Sequence, residues 1–148
     1  MANVLRASAI CALIVIAACV LLSGCTTTPE TPTVSITSPA NGATIQAGDI
    51  DVKADVENFN IVDKQGQANV TGEGHVHFYM DVSPVPSAAG QPAIPANPNA
   101  LWAHVSDNEY TFTNVSPGTH TIVVQLVNND HTPYVPPASA NSTFTVAP

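Results

Sequence analysis

Downstream of Thr33, a proline, a glycine or an Asn/Asp cluster interrupts every apolar run within about ten residues, the spacing of short strands joined by turns. With 13 prolines and 8 glycines in the chain, no segment keeps a 3.6-residue apolar period over a helix-length window. Val34 and Ile36 give a short strand before the turn Ser38-Pro39-Ala40-Asn41-Gly42, and Thr44-Ile45-Gln46 a second before Ala47-Gly48-Asp49. Ile50, Val52, Ala54 and Val56 alternate with Asp51, Lys53, Asp55 and Glu57, a strand with one face on a core and one in water. Residues 58–73 are polar and read as a long loop with room for a short hairpin. Val76, Phe78, Met80 and Val82 then alternate with His75, His77, Tyr79 and Asp81. Residues 83–100 carry five prolines and no charge, which argues against a central strand. Leu101–Val105 reads as a short edge strand, Tyr110–Val115 as an alternating one, Thr119–Val127 as the most β-prone run and Ser142–Val146 as the last. The expected fold is all-β, an antiparallel sandwich of about seven or eight strands over residues 34–148.

Residues 1–24 stand apart from that domain. Arg6 precedes an almost unbroken apolar run from Ala7 to Leu22, the pattern of a secretory signal peptide. At about 16 residues the run falls short of the roughly 20 that span a bilayer as a helix. It ends in Leu22-Ser23-Gly24-Cys25, which resembles the lipobox of bacterial-type lipoproteins. The resemblance implies cleavage before Cys25 and a diacylglycerol on its thiol. The domain would then be exported and lipid-anchored, to the cell membrane or an outer membrane, on a Thr/Pro-rich tether over residues 25–33. Cys11 and Cys19 leave with the signal segment, so no disulfide is available to the mature domain. Losing Arg6 takes the formal charge from −8 to −9, with Lys53 and Lys64 the remaining strong bases. Such a surface repels nucleic acid and suits a cation.

Two sets of motifs resemble known families. Val34-Ser35-Ile36-Thr37-Ser38-Pro39-Ala40-Asn41-Gly42, Ser116-Pro117-Gly118-Thr119-His120-Thr121-Ile122 and Ser142-Thr143-Phe144-Thr145-Val146 resemble strands of bacterial immunoglobulin-like domains. Gly74-His75-Val76-His77, Pro117-Gly118-Thr119-His120-Thr121 and Asn129-Asp130-His131-Thr132-Pro133 resemble a narrower, uncharacterised family of exported bacterial and archaeal domains. The first resemblance implies an immunoglobulin-like sandwich. The second brings no catalytic residues with it.

The histidines carry the chemistry. Alternation puts His75 and His77 on one face, about 6–7 Å apart along a strand, a spacing that suits two ligands of one transition metal. In an immunoglobulin-like sandwich this strand is the third and Thr119–Val127 the sixth, antiparallel neighbours in one sheet. His131, four residues past Val127, then falls at the same end, with Asp130 and Tyr134 as oxygen donors able to complete or orient a site. His120 begins the sixth strand some 20–25 Å away, where related domains place a corner-anchoring tyrosine; it is expected to be structural. His104, two residues after Trp102, is an outlying candidate. Imidazoles without thiolate suit Cu(II), Zn(II) or nickel, Cu(II) most tightly by intrinsic affinity, and with no mature Cys and Met80 on the core face a Cu(I) site of soft sulfur ligands is not expected. The function expected is a lipid-anchored module binding copper or zinc through His75, His77 and His131. The alternative is an envelope module that presents its Pro-rich loops to a protein or a glycan and binds no metal. An enzyme is not expected, because no convincing general base accompanies the histidines.

Overall fold

The computed structural model describes residues 30–84, 86 and 91–148. The expected signal segment 1–24 and Cys25 lie outside the described residues, as does most of the expected tether. Nine strands follow one another: β1 (Thr33–Ser38), β2 (Thr44–Gln46), β3 (Gly48–Glu57), β4 (Asn60–Ile61), β5 (Glu73–Met80), β6 (Leu101–Val105), β7 (Glu109–Val115), β8 (Gly118–Val127) and β9 (Ser139–Ala147). One sheet has the order β1-β3-β7 and the other β2-β9-β8-β5-β4, with β6 also paired to β5. All the long pairings are antiparallel; the short β2–β9 and β4–β5 pairings are parallel. The immunoglobulin-like sandwich expected from the sequence is therefore what forms. β2 falls on the short Thr44–Gln46 piece read from the sequence, so the one strand beyond the expected set is β4, two residues long. Residues 58–73 hold no hairpin: Asn60 and Ile61 instead run beside Glu73 and Gly74.

Alternation explains which side chains meet. In β3, Ile50, Val52 and Ala54 are buried while Asp51, Lys53 and Asp55 face water. They join Val76, Phe78, Met80, Ile122, Val124, Leu126, Phe144 and Val146 in the core between the sheets. Each fully buried side chain of this kind contributes about 1.5–3 kcal/mol. The strand β5 breaks the pattern, because all eight of its residues are buried. Its second face, bearing His75, His77 and Tyr79, does not meet solvent. Ala93 of the Pro-rich loop, itself fully buried, lies against it, and residues 133–138 bond back onto the end of β8. The strand also stops at Met80, short of Val82, because Asp81 turns the chain at φ 56°.

Two polar clamps fix the ends. At the histidine end, Glu73 accepts from Lys64 Nζ at 2.9 and 3.1 Å and from Asn129 Nδ2 at 3.1 Å. Asn69 Oδ1 accepts from the Asp130 amide at 3.0 Å. These bonds tie the turn after β8 to the loop before β5. At the other end His120 Nδ1 donates to Asp81 at 2.7 Å and Nε2 donates to the Ser116 carbonyl at 2.9 Å.

Candidate metal centre

The register of three strands builds the site. β5 pairs with β8 so that His75 faces Val127, which starts the following turn beside it. In that turn the His131 amide donates to the Asn128 carbonyl at 2.9 Å, and His131 takes φ 69°, a conformation histidine tolerates better than most residues. β5 also pairs with β6, and His104 stands directly across from His77. Four imidazoles converge as a result. One ring nitrogen from each of His75, His77, His104 and His131 lies within 4.8 Å of the others.

Two of the donor separations are metal-like, and the wider ones, up to 4.8 Å, close to about 4 Å or less when the rings share one ion. His104 Nδ1 lies 3.2 Å from His77 Nε2 and 3.1 Å from His131 Nε2. Tetrahedral zinc with bonds of about 2.0–2.1 Å sets its nitrogen donors about 3.3 Å apart. The protons cannot satisfy this arrangement. His77 Nδ1 sits 2.9 Å from the Ala93 carbonyl, which only accepts, so Nδ1 carries the proton and Nε2 presents a lone pair. A proton on His104 Nδ1 then serves one of its two neighbours and not both. His75 is fully buried with neither ring nitrogen hydrogen-bonded. An unpartnered buried polar group costs about 1–3 kcal/mol. A cation at the centre removes both problems, so the residues present fit a transition metal ion.

Electrostatics prepare the nitrogens. Burial, reinforced by the neighbouring imidazoles, pushes His75 and His77 down to about 3. Burial also lowers His104 and His131, opposed by Asp63 and Asp130 respectively. All four rings are thus neutral ligands near pH 7. Around them, Tyr79 is buried, its hydroxyl 3.1 Å from His77 Nδ1, 2.8 Å from the Ala93 carbonyl and 3.1 Å from Gln125 Oε1. The Gln65 side-chain amide hydrogen-bonds His104 Nε2, which donates to the amide oxygen when Nδ1 serves as the ligand, and the Ala93 amide donates to the His131 carbonyl at 2.7 Å.

The sequence-predicted set comes together in part. His75, His77 and His131 converge, and His104, left as an outlier, joins them as the fourth. The oxygen donors are corrected. Asp130 accepts from the Thr132 amide and hydroxyl and acts on His75 and His131 only through space. Tyr134 accepts from the Gly72 amide at 2.9 Å and packs edge-on against Phe59. The orienting role falls to the Ala93 carbonyl, Gln65 and Tyr79. His120 stays out of the cluster, in its clamp with Asp81. The signal for His104 lay in pairing: Trp102-x-His104 matches Tyr79 and His77 residue for residue across the strands.

A family profile described as "Domain of unknown function (DUF4399)" matches residues 52–147, a span that includes all four histidines. No curated protein matches the chain. Among solved structures, a crystal structure of an engineered protein is 18% identical with a TM-score of 0.44, over 82% of this chain and 21% of that one. Fibronectin(III)-like modules of Clostridium thermocellum CbhA are 18% identical with a TM-score of 0.41, over 78% of this chain and 46% of theirs. The chain thus spans less than half the length of either.

Proposed function

We propose, from the premise that this chain belongs to the DUF4399 family, that its domain is a non-enzymatic module that binds one transition metal ion, copper or zinc. The observation that carries this reading is the convergence of four imidazole nitrogens within 4.8 Å, with both nitrogens of buried His75 lacking a hydrogen bond. His75, His77, His104 and His131 are the ligands. Tyr79, Gln65 and the Ala93 carbonyl set their orientation, as outer partners of metal-bound histidines do. A set of four neutral protein ligands leaves no coordination position for a substrate in a tetrahedral ion, which favours holding a metal over catalysis. The lipobox-like Leu22-Ser23-Gly24-Cys25 supports placement outside the cytoplasm on a diacylglycerol anchor at Cys25.

Titration of the purified protein with Zn(II) and with copper tests the reading. One equivalent is expected to bind with micromolar affinity or tighter, and His104→Ala and His131→Ala each to weaken it at least about tenfold, as loss of one ligand should. These two positions are half-exposed and tolerate truncation better than His75 or His77. Absence of binding, or binding indifferent to both variants, defeats the proposal.

A further inference from the structure

We infer that this four-imidazole centre selects a monovalent ion, Cu(I), against divalent Zn(II). The inference rests on the reading of the cluster as a metal centre and adds the valence of its occupant. The cluster consists of four imidazoles, with no carboxylate or thiolate among the described residues. The three cysteines of the chain stand at positions 11, 19 and 25, before the domain, and Met80 points into the core between the sheets. The ligand set therefore carries no negative charge, and whatever charge the ion brings stays in the site.

The surroundings make that charge count. His75, His77, Tyr79 and Ala93 are fully buried. Trp102 closes on His77 with ring centroids 5.1 Å apart and stacks on Tyr79 at 6.4 Å. Removing an ion from water carries a penalty that grows with the square of its charge, so a divalent ion meets four times the penalty of a monovalent one in the same cavity. Attraction to fixed groups grows only linearly. Asp63 and Asp130, which lie outside the ligand set, therefore recover a smaller fraction of the penalty for a divalent ion than for a monovalent one. Tetrahedral nitrogen geometry does not separate the d¹⁰ ions Cu(I) and Zn(II), so charge decides between them.

His131 offers the discriminating test. Its φ of 69° is one that Asp and Asn adopt readily, so His131→Asp and His131→Asn fit the turn. Both remove the same imidazole, but only Asp adds a negative charge beside the ion. The purified full-length protein in detergent, its cysteine thiols blocked by alkylation, is titrated with Cu(I) anaerobically against a chromophoric Cu(I) chelator, and with Zn(II) against a chromophoric zinc chelator. The wild type is expected to bind Cu(I) at least about a hundredfold more tightly than Zn(II), a gap of roughly 2.7 kcal/mol. His131→Asp is expected to narrow that ratio at least about tenfold relative to His131→Asn. Equal or tighter Zn(II) binding in the wild type, or the same ratio in both variants, overturns the valence preference while leaving the metal centre standing. Failure of both ions to bind overturns the metal centre itself. Should either variant fail to fold, the wild-type ratio decides.

Discussion

Gly74 is glycine because the neighbouring strand leaves it no room. A Cβ there would collide with the Val127 carbonyl and press on Phe59 at 3.0 Å. Backbone cannot rotate away as a side chain can, so Gly74→Ala is expected to destabilise the domain by about 2–3 kcal/mol, at the upper end of overpacking effects. It should also weaken metal binding, because His75 follows directly and pairs with Val127. Thermal melts with and without metal check both expectations. Tyr79 acts on the same site through its hydroxyl. In Tyr79→Phe, Gln125 Oε1 and the Ala93 carbonyl lose the single hydroxyl proton they share. The expected loss is about 1 kcal/mol of stability and roughly tenfold in metal affinity, read by denaturant titration and chelator competition. His75 and His77 were legible as a pair, since alternation alone puts them on one face. Tyr79 was legible only as their neighbour on that face, because its partners Ala93 and Gln125 lie 14 and 46 residues away.

Among the elements, β5 departs furthest from what its pattern implies. Alternation in β3 correctly separates a buried face from a wet one, whereas in β5 both faces are interior. A polar face beneath a loop has the same pattern as one in water, and only the cover distinguishes them. The edge strand β6 was legible as a strand, but not the register that puts His104 across from His77. At its far end β5 is held by the His120–Asp81 clamp. Both partners of His120, a carboxylate and a carbonyl, are acceptors, so the imidazole is held doubly protonated. The Asp81 hydrogen bond, with help from Ser116, raises its pKa above the ordinary histidine value. A raised folded pKa means the stabilisation is fully present below the unfolded value of about 6.5 and is lost as pH rises through the folded one. His120→Gln is therefore expected to lower stability by about 1 kcal/mol at pH 6, allowing for solvent screening of this partly exposed pair. The deficit should shrink at pH 9. Denaturant titrations of wild type and variant at the two pH values check it.

At the scale of the whole molecule, the sandwich follows from turn spacing and alternation, and its two clamped ends carry opposite pH signatures. The cluster end is the stronger. His75 and His77, pushed down to about 3 by burial, stay neutral when folded, and burial lowers His104 and His131 as well. Unfolded, these rings take up protons near pH 6.5. Between about pH 6.5 and 3 the unfolded chain thus binds more protons than the folded one, and stability falls as pH falls through that window. The His120 clamp acts in the opposite direction, but above this window. The metal-free domain is therefore expected to have its stability maximum near neutral pH and to lose melting temperature steadily toward pH 4. A bound metal changes the magnitude and not the sign. It binds the folded chain, in which His75 and His77 remain deprotonated well below pH 6.5, and stabilises by about 2.7 kcal/mol at a free concentration one hundred times Kd. The metal-induced rise in melting temperature should extend below pH 6.5, where exposed histidines are already protonated, and vanish near pH 3, where His75 and His77 take up protons in the folded state. Melting curves with and without metal at pH 7.5, 5 and 3.5 test this. A metal effect that disappears by pH 6 would mean that the ligands titrate as surface histidines and that the buried four-histidine centre is not what binds.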